Sequence, residues 1–345
     1  MMVGLGHVGR ALLRSWGRVR GDVKLVAAMD SRGGFADEGG LDPEAVGRRK
    51  SEGAYDQGTG GPAASRIRTV CPDILIELSV TNVETGEPAI PDILAGLESG
   101  AHVVTSAKSH QRSREDVLRV TEAAARRGLF FLDHAAHLAG IPVTEMMAGV
   151  GMEVTRLEGV LNGTTNFMLQ QIEDGAPFEA ALAEAIRRGF AERDFRYDVQ
   201  GTDVGIKLVG LARRLMGRTL DLKEIQFYGI EAGRLGIEGI DPIFVRQRRL
   251  RGDKVKLFGE VAVGDGGTLR ARVGPRAFAA DDPFARIDGF KNAVAIQGVM
   301  NGTPMDLFLS GPGAGADETA SRVLGNLNFL LDELRRGERG EPAAP

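Results

Sequence analysis

The sequence has one cysteine, no long apolar run and little excess of charge, and each shortage excludes a class of protein. The single Cys71 excludes a disulfide framework within one chain and any cysteine-cluster metal site, and it fits a reducing compartment. No apolar run approaches the ~20 residues of a membrane span. Glycines and His7 interrupt the N-terminal stretch where a signal peptide would carry its apolar core. A net charge of −4 gives no reason to expect nucleic acid or an anionic membrane as partner, so we predict a cytoplasmic protein.

A length of 345 residues is too great for one ordinary hydrophobic core and predicts more than one domain. The first third alternates apolar runs with helical patterns, which predicts a Rossmann-type doubly wound parallel sheet. The predicted strands are 25–29, 74–78, 101–105 and 129–132, and the predicted helices are 8–16, 91–99 and 113–127. Residues 33–66, rich in Gly, Asp, Arg and Ser, are interpreted as an irregular excursion with a short helix at 43–50.

After Pro142 the pattern changes to that of an α+β domain with an open mixed or antiparallel sheet. The signals are two hairpins with turns at 265–267 and 301–302, a strand at 156–161, and helices at 143–152, at 178–188 and from Asp203. A last amphipathic helix spans 316–334. We therefore predict a dinucleotide-binding domain at 1–142 completed by 311–335, a substrate-binding and dimerisation domain at 143–310, and a disordered tail at 336–345.

The chain opens on a glycine-rich pattern, G-x-G-x-x-G, formed by Gly4, Gly6, His7, Val8 and Gly9. Its glycines permit a tight turn, close approach to a pyrophosphate and packing of helix on strand. The N-terminus of the following helix supplies N–H groups for the anion. Only three residues precede the loop, so the first predicted strand is short, as it would be if the true start lay further upstream. The pattern predicts a dinucleotide site.

The residues after the second predicted strand bear on the choice of cofactor. Asp30 ends that strand, and an acid there favours a ribose 2′-hydroxyl. Ser31-Arg32 and the basic run 48–50, which includes Lys50, instead favour a 2′-phosphate. We predict NADP with NAD as the alternative, although a solvated helix face explains the basic run equally well.

A second concentration of charge runs from Gly189 to Lys207. Asp203 and Lys207 are four apart and share one helical face, while Glu192 and Asp198 lie on the approach. A lysine surrounded by carboxylates beside an apolar stripe could move a proton or hold a zwitterion. A surface ion-pair cluster is the plainer alternative.

Two runs of this chain resemble signatures of the homoserine dehydrogenases. The segment 159–169, GVLNGTTNFML, resembles the family's G-[IV]-L-N-G-T-x-N-[YF]-[IM]-L, and 189–207 resembles its acid-rich signature at matching spacing. Further matches lie at 74–81, 103–105 and 311–320, so the resemblance runs from about Val3 to Leu334. It identifies the chain as similar to the short form of the family, without a C-terminal regulatory domain.

The resemblance implies reversible NAD(P)-linked interconversion of L-aspartate 4-semialdehyde and L-homoserine in a homodimer. It implies that Lys207 and Lys108 are the paired catalytic lysines and that Asp203 orients Lys207. It also assigns side chains and backbone to the two ligands. Substrate contacts fall to Glu192, Asp198, Gly163 and Thr164, and further cofactor contacts to Ser79, Thr81, Ser106, Gly311, Gly313, Gly315 and Glu318.

Two segments depart from the family pattern. Ala107 replaces an asparagine before Lys108, and His134 stands where the family has a glutamate beside a monovalent-cation site. Losing that anionic ligand makes a sodium site doubtful, and two histidines, His134 and His137, are too few ligands to predict a transition metal. Because these changes alter the predicted pocket, two alternatives stay open. One is an oxidoreductase for another small amino aldehyde or amino alcohol, and the other is a cofactor-binding homologue without turnover.

Overall fold

The computed structural model of the protein describes residues 1–188, 190, 195–313 and 315–338. The chain divides into two compact units, one formed by Met1–His137 with the chain from Ala316, and one formed by Leu138–Gly315. Glu192 and the end of the predicted tail, 339–345, lie outside the described residues. The final helix continues to Glu338, past the predicted end at Leu334.

The first unit alternates strands and helices from its first residue. Its elements are β1 (Met2–Val3), α1 (His7–Arg14), β2 (Ala27–Asp30), β3 (Gly33–Ala36), α2 (Pro43–Glu52), α3 (Ala63–Val70), β4 (Ile74–Glu77), α4 (Ala89–Glu98), β5 (His102–Thr105), α5 (Arg114–Ala125) and β6 (Phe131–Leu132). Short 3₁₀ helices occupy Trp16–Arg18, Ser109–Arg112 and His134–Ala136.

The sheet of this unit has the order β3-β2-β1-β4-β5-β6 within the described residues. All neighbouring pairs are parallel except β2–β3, which is antiparallel. The strand order reverses at β1, which makes the carboxyl ends of β1 and β4 the switch point where ligands bind in such sheets. The predicted doubly wound sheet is confirmed.

The prediction for 33–66 was wrong in two places, because β3 and α3 form there. Gly33 and Gly34 carry no β-forming side chains, so the strand depends on backbone pairing with Met29 and Asp30 that the sequence pattern does not show.

Two apolar clusters form the core of this unit. One contains Leu12, Val104 and Leu327, and the other contains residues of α3, α4 and α5.

The second unit combines helices with longer strands. Its elements are α6 (Val143–Met147), β7 (Glu153–Val160), α7 (Gly163–Glu173), α8 (Phe178–Arg187), α9 (Arg196–Val199), α10 (Thr202–Met216), β8 (Ile225–Phe227), α11 (Pro242–Leu250), β9 (Lys254–Val263), β10 (Leu269–Phe278), β11 (Lys291–Met300) and β12 (Thr303–Pro312). The last helix, α12 (Ala316–Glu338), belongs to the first unit. None of the helices in the described ranges has the length and apolar character needed to cross a membrane.

The strands of this unit form a mixed sheet of order β12-β11-β7-β9-β10-β8. Both predicted hairpins are confirmed, because β9 pairs antiparallel with β10 and β11 with β12 across the predicted turns. Helix α10 packs on one face, where Gly259 leaves room for Val204 and Leu208. Helix α6 ends at Met147, well before the predicted Met152, and the left-handed conformation of Gly151 is incompatible with a helix that continues through it.

Candidate active site

The loop between β1 and α1 has the shape of a phosphate cradle. Gly4 adopts φ +98°, and a Cβ there would overlap the carbonyl oxygen of Leu78. A Cβ on Gly9 would overlap the carbonyl oxygen of Gly4, so both positions require glycine. Gly6 precedes α1, which has no acid in its first turn, and the space around the Cβ position of Gly6 is open. The first N–H groups of the helix can therefore face an anion. His7 is exposed and Val8 half-buried at the start of that helix.

The acid at the end of β2 is already engaged by cationic and polar groups. Asp30 forms an ion pair with Lys50, accepts the backbone N–H of Arg32 at 2.8 Å, and lies 3.3 Å from the Tyr55 hydroxyl. Burial tends to raise the pKa of Asp30, but the hydrogen bonds from Lys50 and Arg32 outweigh it and hold the pKa below its ordinary value. Ser31 and Arg32 are exposed beside it. Asp30 is thus engaged by Lys50, and Arg32 lies two residues after it in the chain, which suits an anionic ligand better than a neutral hydroxyl.

A buried glutamate holds the loops that follow β4 and β5. Glu77 is fully buried and accepts the Ser79 N–H and the Thr105 hydroxyl, both at 2.9 Å. Burial raises the pKa of its carboxyl above the ordinary value. Its backbone carbonyl accepts the Ser106 N–H at 3.2 Å, and Thr105 Oγ1 accepts the Ala107 N–H at 3.0 Å. Ser79 and Ser106, both predicted cofactor residues, are therefore placed side by side at the carboxyl edge of the sheet.

Lys108 follows directly and is fixed through its backbone. Its N–H donates to Thr81 Oγ1 at 3.1 Å, and its carbonyl accepts the Gln111 N–H at 2.9 Å. The predicted residues Thr81 and Lys108 are thus brought together at the same edge of the sheet. The sequence showed no link between them, because they are separated by β5.

In the second unit, Lys207 lies on α10 in a buried ion pair. Its Nζ is 2.6 Å from Asp203 Oδ2, one helical turn earlier, and it donates to the Leu161 carbonyl at 2.6 Å. Lys207 is 7% and Asp203 9% exposed. This confinement rules out the surface ion-pair alternative, because both charges are withdrawn from solvent and depend on protein partners.

Asn162 joins this pair to a second carboxylate. Its Oδ1 caps α7 by accepting the Thr165 N–H at 2.9 Å. Its Nδ2 donates to Asp198 Oδ1 at 2.7 Å and to Asp203 Oδ2 at 2.9 Å. Asn162 lies in the 159–169 signature, but the sequence did not predict a role for it. An asparagine immediately before a helix is a capping signal that could have drawn attention to it.

The remaining predicted substrate residues lie at the start of α7. A Cβ on Gly163 would come within 2.7 Å of the Phe290 carbonyl oxygen, so the backbone passes close to that loop. Thr164 Oγ1 donates to the backbone carbonyl of Phe190 at 2.6 Å, and the ring of Phe190 packs against that of Phe290. These contacts place both residues beside Asn162, where α7 begins.

The glycines after β12 are tied back to the same region. Gly313 donates its N–H to the Phe290 carbonyl at 2.8 Å, and its own carbonyl accepts from Asn292 Nδ2 at 3.2 Å. Asn292 Nδ2 also donates at 3.0 Å to the Leu161 carbonyl that receives Lys207. Gly311 is the penultimate residue of β12, Gly315 is the last residue of the second unit, and Glu318 is in the first turn of α12 in the first unit. Asn292 is a further residue that the sequence did not single out.

The departures around His134 form a 3₁₀ turn, His134–Ala136, after β6. Across the described ranges, no three His, Cys, Asp or Glu side chains are grouped as a metal ion would require.

Comparison with known proteins agrees with this geometry. The family model for homoserine dehydrogenase matches residues 142–327. The chain is 32% identical to an NAD(+)-dependent homoserine dehydrogenase of Pseudomonas canavaninivorans, covering 97% of this chain and 96% of that one. It is 30% identical to the homoserine dehydrogenase of Methanocaldococcus jannaschii, covering 91% of each. The solved homoserine dehydrogenase of Thiobacillus denitrificans, at 24% identity and TM-score 0.75 over 98% of this chain and 73% of that one, supports the fold. The chain therefore belongs to the homoserine dehydrogenase family of NAD(P)-dependent oxidoreductases.

Proposed function

We propose that this protein interconverts L-aspartate 4-semialdehyde and L-homoserine at the cluster formed by Asn162, Asp198, Asp203 and Lys207. The observation that carries the proposal is the buried Lys207–Asp203 pair, joined through Asn162 to the carboxylate of Asp198. A substrate of this kind needs a carboxylate that binds its α-amino group and a proton donor for its reacting carbonyl oxygen. This cluster supplies both groups.

The residues of the first unit fit a nicotinamide dinucleotide. The positions of Gly4 and Gly9 leave room only for backbone, and the open start of α1 suits a pyrophosphate. Ser79, Thr81 and Ser106 would line the continuing groove. Gly311, Gly313, Gly315 and Glu318 stay predicted cofactor contacts on the strength of the family resemblance. When bound, the cofactor supplies or accepts the hydride.

Lys207 acts as the proton donor in the direction of aldehyde reduction. Its Nζ gives a proton to the substrate oxygen as negative charge develops there, and the ammonium stabilises that charge before transfer. Asp203 keeps the ammonium in place through the 2.6 Å contact. Asp198, with Glu192, receives the substrate amino group, and Lys108 is the second lysine that the family resemblance assigns to the reaction.

A comparison of two aldehydes tests the assignment of Asp198. The protein should turn over L-aspartate 4-semialdehyde much faster than succinic semialdehyde, which lacks the amino group. Asp198→Asn should raise KM for the amino aldehyde by about 10- to 100-fold, the effect of losing a charge-assisted hydrogen bond of about 1.5–3 kcal/mol. Asp265→Asn, at a fully exposed turn, is the matched control. Preference for another amino aldehyde would establish the alternative substrate class, and dinucleotide binding without any turnover would establish the non-catalytic alternative.

We further infer a preference for NADPH over NADH. Support comes from Arg32 and Lys50 beside Asp30, whose carboxylate oxygens already accept other hydrogen bonds. The Pseudomonas relative is named as NAD(+)-dependent, so both cofactors have to be compared in the experiment. Arg32→Ala should lower kcat/KM for NADPH by about tenfold and leave NADH unaffected, since a charge-assisted contact is worth about 1.5 kcal/mol or more. Arg48→Ala, on the exposed face of α2, is the control. A wild-type preference for NADH would refute the inference.

The sheet of the second unit supports a homodimer. Gly259 faces α10, so the next residue, Glu260, points to the opposite face of the sheet. The strand register places Glu158 and Phe308 on that same face. Phe308 is 40% exposed, and Arg156 lies 2.7 Å from Glu158 and 2.9 Å from Glu260. A face that mixes both signs of charge with an aromatic side chain can complement a second copy of itself.

Light scattering after size-exclusion chromatography tests the dimer. The wild-type protein should have the mass of two chains, and Phe308→Asp should have the mass of one. Leu250→Asp, a highly exposed position on α11, should leave the mass unchanged. A monomeric wild-type protein would refute this assignment.

A further inference from the structure

The two segments that depart from the family pattern are joined by a buried polar network in the first unit. His110 Nε2 lies 2.8 Å from Asp133 Oδ2, and Gln111 Nε2 lies 2.9 Å from His137 Nε2. His137 Nε2 is a further 3.8 Å from the same Asp133 oxygen. All four side chains are at most 1% exposed. His110 and Gln111 lie two and three residues after Lys108, and Asp133 and His137 flank the 3₁₀ turn after β6.

The chemistry of the donors fixes how the network is connected. A carboxylate only accepts, so the His110 ring carries its hydrogen on Nε2 and donates to Asp133. The amide nitrogen of Gln111 only donates, so Nε2 of His137 accepts. Hydrogen bonds in such a buried setting are strong, and losing one leaves a desolvated polar group at a cost of about 1–3 kcal/mol. The network therefore holds 109–112 rigidly against 133–137.

The network is connected through Lys108 to the edge of the sheet where the predicted cofactor residues lie. Gln111 donates its backbone N–H to the Lys108 carbonyl at 2.9 Å, so the residue that anchors the network also closes the turn that begins at Lys108. On the other side, Ser109 Oγ accepts the Asn82 N–H at 3.0 Å, and Thr81 Oγ1 accepts the Lys108 N–H at 3.1 Å. The backbone of Lys108 is thus held from both sides, although the family's preceding asparagine is alanine here.

We propose that His110, Gln111, Asp133 and His137 are positioning residues for Lys108. They fix the turn from which its side chain extends, and so replace with a hydrogen-bonded support the asparagine that this chain lacks. This inference depends on the proposed catalytic role of Lys108. It assigns the two atypical segments one shared function: they support the reaction and do not redirect the substrate.

A double-mutant cycle tests the proposal on the full-length protein. Gln111→Leu removes the amide at nearly constant volume and should lower kcat by about 10- to 100-fold, the cost expected of a small misplacement, with KM for NADPH unchanged. In a Lys108→Ala background the same substitution should lower kcat no further, because its effect passes through that lysine. Asn326→Leu, an equivalent replacement at a 3% exposed position in α12, should leave kcat unchanged.

A pair of variants at His137 separates positioning from general loss of structure. His137→Gln keeps an acceptor oxygen near the place of Nε2 and should retain most of kcat, whereas His137→Leu should behave like Gln111→Leu. Equal losses in both backgrounds, an unchanged kcat in Gln111→Leu, or equal activity of the two His137 variants would overturn the proposal. An active wild-type protein with an unaffected Lys108→Ala variant would instead refute the catalytic role of Lys108, and with it the basis of the network's function.

Discussion

Replacing Lys207 by methionine shortens the unbranched side chain by one heavy atom and removes its charge. The Nζ atom lies 2.6 Å from both Asp203 Oδ2 and the Leu161 carbonyl oxygen, and the residue is 7% exposed. The variant therefore loses a positioned proton donor, which contributes about 10²–10⁴-fold to the rate, or about 3–5 kcal/mol of barrier.

The same substitution carries a stability cost that must be separated from catalysis. Asp203 would remain buried with the Asn162 amide as a partner but without the ammonium, and breaking a buried pair costs about 3–5 kcal/mol. Adding Asp203→Asn neutralises the site. The double variant should recover most of the thermal stability lost by Lys207→Met, and it should not recover kcat.

Steady-state kinetics with L-aspartate 4-semialdehyde and NADPH, together with calorimetric melting curves, measure both effects. Arg213→Met, later on the same helix, should keep kcat near that of the wild-type protein. The reasoning is refuted if Lys207→Met retains kcat within about tenfold of wild type, well above the loss expected for a proton donor. It is equally refuted if the double variant regains activity together with stability.

Three further predictions concern packing and titration. Burial raises the pKa of Asp92 to about 7, so the folded state keeps a proton that the unfolded chain releases near its ordinary value of 3.8. Stability should therefore fall as pH rises from about 4 to about 7, and Asp92→Asn should remove that fall in melting curves; an identical pH dependence in both proteins would contradict it. Gly9→Ala would drive a Cβ into the Gly4 carbonyl and should weaken NADPH binding in a fluorescence titration by more than about tenfold, whereas Gly17→Ala, in open space, should bind normally. Asn162→Ala should lower the melting temperature, because it removes a helix cap worth about 1 kcal/mol. It should also lower kcat, because Asp203 loses a hydrogen bond that holds it. An unchanged kcat would show that Asn162 acts only as a cap.

The elements that the sequence predicted well are those with strong local patterns. Both hairpins have alternating apolar residues and turn glycines, and the opening loop has glycines whose spacing has a known structural meaning. Helix α11 was missed although Asp241 followed by Pro242 is a start signal, and Asp241 does accept the Ile243 N–H. Strand β3 could not be predicted in this way, because its two glycines contribute only backbone pairing.

The candidate site was predictable in its residue types and not in its connections. The Asp203–Lys207 pair follows from helical spacing alone. Asn162 reaches Asp198 and Asp203 across 36 and 41 residues of chain, and no local pattern encodes that meeting. The role of Glu77 could not be predicted from the sequence either, because a single acid after an apolar run can equally mark the end of a strand. The network around Asp133 likewise depends on tertiary packing of two segments that each look unremarkable in isolation.

The most direct measurement of the central claim is the absorbance change of NADPH on addition of L-aspartate 4-semialdehyde to the purified wild-type protein, with L-homoserine quantified at the end. The account predicts NADPH oxidation with one homoserine formed for each NADPH consumed, and the reverse reaction when L-homoserine and NADP are supplied. Absence of turnover in both directions, with NADH and NADPH alike, would contradict it.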